Sequence, residues 1–147
     1  MANFDTVKLT KYIEQEILTF AKDHQNETFY GFAIDANLLC LNSIEKFEET
    51  LRKYQEKWGG YTTSDEIQDL KNNTGDWTYQ GFAELSDSEG FDKQSYLDHY
   101  HMDDEDQTSS DYAIAMNTII KNLKQSDIFS SLSITADFYI CRVEHNY

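Results

Sequence analysis

The 147-residue chain has no proline, two cysteines, six glycines, and 12 Lys or Arg against 27 Asp or Glu. It has no internal repeat, and no Pro- or Gly-rich stretch marks a linker. The length is that of one ordinary domain. No stretch approaches the roughly 18 uninterrupted apolar residues of a membrane span. Met1 to Asp5 lacks the basic-then-apolar pattern of a signal peptide, so a cytoplasmic protein is expected. Cys40 and Cys141 are then read as buried thiols. Their sequence spacing does not say whether they meet in space.

The shortage of basic residues excludes more. A net charge of −15 repels phosphate backbones and anionic membrane surfaces, so neither nucleic acid nor membrane is an expected partner. Metal cations, or a basic protein steered in by the field, remain. The plain alternative is that the charge only keeps the protein in solution.

Aromatic residues are abundant: nine Phe, ten Tyr and two Trp. Each can bury roughly 150–250 Å², so a few of them fill much core, and intrinsic disorder is not expected. Leu9, Ile13, Ile17, Phe20 and Ala21 step by threes and fours and predict a helix over Val7–Lys22, with Asp5 as N-cap and Phe4 stapled against Leu9. Thr28–Ile34 is apolar on both alternating sets and reads as a central strand. Asp35-Ala36-Asn37 turns it into a second strand, Leu38–Leu41, to make a hairpin.

Ser43 caps a helix whose stripe is Ile44, Phe47, Leu51, Tyr54 and Trp58, stopped by Gly59-Gly60. Thr63 and Glu66 form a capping box for a short helix to about Leu70. Asp76–Leu85 predicts a third strand, with Gly81 at a bulge or close approach. Phe91–Tyr100 predicts a short helix. Tyr112, Met116, Ile119, Ile120 and Leu123 line a helix that starts at Ser110-Asp111 and ends near Lys124. Ser131–Val143 predicts a last, long strand that is bent or bulged. The order implies one α+β domain over residues 1–147. Its sheet is mostly antiparallel, of about four or more strands, packed with three to five helices.

Few constellations carry chemistry. There is no nucleophile elbow, phosphate loop, dinucleotide fingerprint, His-Glu-x-x-His or paired-Cys motif, so no catalytic residue is named and no enzyme is expected. A Cys–His pair drawn from Cys40 or Cys141 and His24, His99, His101 or His145 is formally available. Both thiols, however, sit in apolar strand patterns that make them inert. His99 and His101, with Asp103, could hold a divalent metal if the segment is extended. In a helix their directions diverge by about 200°. Asp98 to Asp111 holds six acidic residues and no Lys or Arg, and its plain reading is a solvated acidic loop. Trp58 and Trp77 flank a Gly-, Thr- and Asn-rich connection. Their register places both in the core, and the alternative is a pair of interface anchors.

The amphipathic N-terminal helix is followed by Glu27-Thr28-Phe29-Tyr30-Gly31-Phe32-Ala33-Ile34. A Ser-capped helix ending in Lys57-Trp58 comes next, and then Gly75-Asp76-Trp77-Thr78-Tyr79. In this order the chain resembles a small bacterial family, number 4303 in the domain-of-unknown-function series. The resemblance implies a small acidic protein like those encoded beside secreted polymorphic toxins, where immunity proteins neutralise the toxin. It supplies no catalytic residues.

The leading expectation is therefore an acidic cytoplasmic binding protein, an immunity-type inhibitor of a basic, nuclease-like toxin domain, with no cofactor. Its partner-binding residues would be Asp98, Asp103, Asp104, Glu105, Asp106 and Asp111, with Trp58 and Trp77 as anchors. The alternatives are a metal-binding protein or small metal-dependent enzyme built on His99, His101 and Asp103, and an adaptor subunit.

Overall fold

A computed structural model describes residues 3–144. The expected first helix is α1, Thr6–Lys22, and the Asp5 carboxylate accepts the Lys8 N–H at its start. The hairpin is β1, Thr28–Asp35, and β2, Leu38–Ser43. Its turn places Ala36 at φ +55°. Then come α2, Ile44–Trp58, and α3, Ser64–Asn72. Ser43 caps the former, and Thr63 with Glu66 closes the capping box of the latter.

The third strand, β3, is shorter than expected, Tyr79–Glu84. Asn73 caps a 3-10 turn over Thr74–Asp76 that takes up the residues before it. A second such turn, Leu85–Asp87, follows. Three helices come next: α4, Lys93–Tyr100, the single turn α5, Asp104–Gln107, and α6, Asp111–Gln125. A 3-10 turn at Ile128–Ser131 delays the last strand, so β4 is Ser133–Val143.

The sheet order is β3-β2-β1-β4. β1 lies antiparallel to β2 and β2 to β3, but β4 runs parallel to β1, so the sheet is mixed. All of β1 except Thr28 is buried, as its two-sided apolar pattern demands. Both expected irregularities are present. Gly81, at φ +72°, lies where the β2–β3 register slips. In β4 the register slips between the partners of Phe29 and Gly31, leaving extra residues between Ile134 and Tyr139.

Helices cover both faces of this sheet. On the first, α1 and α6 bury Leu9, Ile13, Ile17, Tyr112, Met116, Ile119 and Leu123 against Phe29, Phe32, Ile34, Leu39 and Leu41. On the second, α2 and α3 bury Phe47 and Leu70 against Tyr30, Ala33, Cys40 and Trp77, with Leu51, Tyr54 and Tyr139 half-buried around them. Gly31 is needed on this second face. A Cβ there would lie 2.8 Å from the Tyr139 ring and 3.1 Å from the Trp77 ring.

Cys40 and Cys141 both pair with Ala33, from opposite sides. Two strand spacings, about 10 Å, separate them, beyond disulfide reach. Burial pushes the Cys40 thiol up to about 12 and raises Cys141 as well. His145 lies outside the described residues. No described helix is long and apolar enough to cross a membrane.

Candidate functional site

His99 occupies the last turn of α4 and is 0 % exposed. Its Nδ1 lies 2.6 Å from the Ser110 hydroxyl, and its Nε2 lies 3.2 and 3.3 Å from the two Glu144 carboxylate oxygens. The Ser110 hydroxyl caps α6 by accepting the Ala113 N–H at 3.0 Å. Its one proton is then free to donate to Nδ1, which leaves the imidazole proton on Nε2 to donate to Glu144. A neutral ring fits its surroundings. Burial and the nearby Arg142 guanidinium hold the His99 pKa below the ordinary imidazole value. Arg142 also pairs with Glu144, and the Tyr100 and Tyr112 rings pack on the imidazole with centroids at 4.8 and 4.6 Å.

This buried residue shapes the acidic segment. The His99 carbonyl accepts the Gln107 side-chain N–H at 3.0 Å, and the Ser110 bond holds the segment's far end. The residues between cannot trail away as a loop. They wind through the C-terminal turn of α4, the single turn α5 and the cap of α6. Tyr112, the second residue of α6, donates to the carbonyl of Ala36 in the β1–β2 turn. The segment is thus tied to the sheet at both α4 and α6.

Asp98, Asp103, Asp104, Glu105, Asp106 and Asp111 are all exposed. None of the ion pairs among the described residues includes any of them. Leu97, Met102 and Ile114 lie exposed along the same stretch. The result is a run of exposed carboxylates, with no Lys or Arg in the segment, interspersed with exposed apolar side chains.

The expectation of a metal pair at His99 and His101 is corrected by this geometry. His99 turns inward and spends both ring nitrogens on protein partners, whereas His101 and Asp103 face solvent. The helical end of α4 diverges the two imidazoles, as 3.6 residues per turn requires. Among the described residues, no three His, Cys, Asp or Glu side chains converge on a point that could hold a metal ion.

The two tryptophans also part ways. Trp77 is 4 % exposed and donates its indole N–H to the Lys71 carbonyl at 2.8 Å. It belongs to the core, as its register implies, so it is not available as an exposed anchor. Trp58 is 61 % exposed, which corrects the expectation of core. The apolar stripe of α2 continues in register, but burial falls along it from Phe47, through Leu51 and Tyr54, to an exposed last turn.

Sequence reasoning missed Ser110 and Gln107 as anchors of the acidic segment and Glu144 and Arg142 as partners of His99. Only Ser110 carried a local signal, its place as a helix cap. Gln107 lies within the segment but carries no motif, and Glu144 and Arg142 come from a distant part of the chain.

A mixed four-stranded sheet with helices on both faces, and an acidic segment hydrogen-bonded beside it, define a single α+β domain. The chain matches the model of the family described as Domain of unknown function (DUF4303) over residues 9–147, and it belongs to that family. No curated protein and no solved structure matches it.

Proposed function

We propose that the protein is an acidic binding protein of the immunity type, which neutralises a basic, nuclease-like toxin domain by covering its phosphate-binding face. One observation carries the reading. Six exposed carboxylates, with no Lys or Arg among them, occupy a segment pinned by a buried histidine. A surface already ordered loses little conformational freedom on docking. Its charge raises the association rate with a cationic partner and makes that rate fall with salt.

The test is co-expression with the toxin domain encoded by the neighbouring reading frame. The intact protein is expected to rescue growth. The variant D103N/D104N/E105Q/D106N, which leaves His99, Ser110 and Gln107 in place, is expected to lose rescue and the salt dependence of binding. No protection from the neighbouring gene product, or full protection by the neutralised variant, overturns the proposal.

A further inference from the structure

A second exposed surface lies on the other face of the sheet. At the end of α2, Gly59 and Gly60 adopt φ of +70° and +72°, and Tyr61 adopts +52°. These three left-handed residues reverse the chain and bring the Tyr61 ring back to Tyr54, with centroids 5.6 Å apart. Tyr54 also packs on the exposed Trp58 at 4.7 Å. The three rings form a solvent-facing aromatic surface. Beside it, Tyr61, Glu66, Asp69, Leu70, Asn73 and Asp76 line a cavity of about 270 Å³.

The charge of this cavity is one-sided. Glu66 accepts from the Thr63 hydroxyl at 2.9 Å, and Asp76 accepts from the Tyr54 hydroxyl at 2.8 Å and the Asn73 amide at 2.7 Å. These donors are neutral, so none of them is a counter-ion to the carboxylates. No ion pair among the described residues includes Glu66, Asp69 or Asp76. Of the neighbouring cations, the Lys71 ammonium is engaged elsewhere, 4.9 Å over the Tyr30 ring, whereas that of Lys57 sits 5.0 Å over Trp58 itself, so this ring already stacks a cation and an incoming one takes its place there. Among the described residues the carboxylates do not converge as metal ligands, so a metal ion does not match them. A flat cation that stacks on aromatic rings and shares its N–H groups among separated carboxylates does match. That is the chemistry of guanidinium.

We propose that the Tyr54–Trp58–Tyr61 surface and its acidic cavity dock an arginine side chain on a basic segment of a protein partner. The aromatic rings supply the desolvated anchor, and Asp69 with its neighbours supplies the charge complement. This surface lies on the α2–α3 side of the sheet, so the inference does not depend on the role of the acidic segment.

The test titrates the full chain with a short Gly/Ser peptide carrying two arginines. The same peptide with citrulline, isosteric but neutral, is the control. Binding is read by calorimetry and by the fluorescence of exposed Trp58, with buried Trp77 as a constant background. The arginine peptide is expected to bind and the citrulline peptide is not. D69N and W58A are each expected to weaken binding about tenfold or more. Neither residue caps a helix, so both variants should fold, which circular dichroism checks.

Equal binding of the two peptides, or wild-type affinity in both variants, overturns the proposal. It also falls if D103N/D104N/E105Q/D106N abolishes peptide binding while D69N and W58A do not, an outcome that leaves the acidic segment as the receptor. Self-association in sedimentation that W58A abolishes would assign the face to a second copy, and would overturn it too.

Discussion

The two faces of the sheet use similar residues to different ends. The α1–α6 face closes. Every member of the stripe Leu9, Ile13, Ile17, Tyr112, Met116, Ile119, Leu123 is fully or almost fully buried. The α2–α3 face closes only at one end. Phe47 and Leu70 are buried, Leu51 and Tyr54 half-buried, and Trp58 stands in solvent. Helical periodicity is equally clean on both. What separates them is whether the packing partner extends as far as the stripe does. A side chain in register gains burial only where there is something to bury it against.

The largest effect that would sharpen this contrast is a truncation on each face. Ile13→Ala is expected to cost about 2–5 kcal/mol in urea unfolding, as a fully buried aliphatic side chain with a residual cavity does. Leu51→Ala is expected to cost roughly half of that or less, since only part of its surface leaves water. Equal losses would break the contrast.

Gly31→Ala asks whether the second face is tightly packed at its centre. The added methyl meets the Tyr139 and Trp77 rings and is expected to cost about 1–3 kcal/mol. No loss would show that the rings move aside.

A smaller effect separates the faces by pH. His99 is buried beside the first face with its pKa lowered from 6.5. The unfolded chain therefore takes up this proton more readily than the folded one. The stability this provides is full above about pH 6.5 and is lost as pH falls through the folded value. Between pH 7 and 5 the unfolding free energy is expected to decline, and His99→Gln is expected to flatten that decline. An unchanged slope would show that the ring does not titrate on unfolding. Trp58→Ala is expected to have the smallest effect, within about 0.5 kcal/mol, because an exposed side chain away from caps contributes little.

Much of the fold was legible because its signals are local. Caps at Asp5, Ser43 and the Thr63–Glu66 pair follow from side-chain chemistry within one turn. The stripes of α1 and α6 follow from periodicity, and the bulge at Gly81 from one glycine in a strand pattern. What the sequence hid is non-local. The parallel pairing of β4 with β1 has no periodic signature, and Trp58 in register looks the same whether or not α2 overhangs its partner. At the candidate site the carboxylates themselves were legible by counting. Their order was not, because it depends on His99 meeting Ser110 and Glu144, which lie 11 and 45 residues away. A histidine two residues from another reads as a ligand until its burial is known.

The parallel pairing of β1 with β4 also bears on how the chain reaches its structure. Thr28 pairs with Ser133, so about a hundred residues must be gathered before this ladder can form. The β1–β2 hairpin, closed by a short turn, faces only a small closure entropy and can form within microseconds. Long-range parallel pairing is the slow kind. Until β4 arrives, one edge of β1, whose residues beyond Thr28 are all buried in the finished fold, is bare and open to strands of other chains. The time β4 takes to arrive therefore sets how long each newly made molecule is exposed to aggregation.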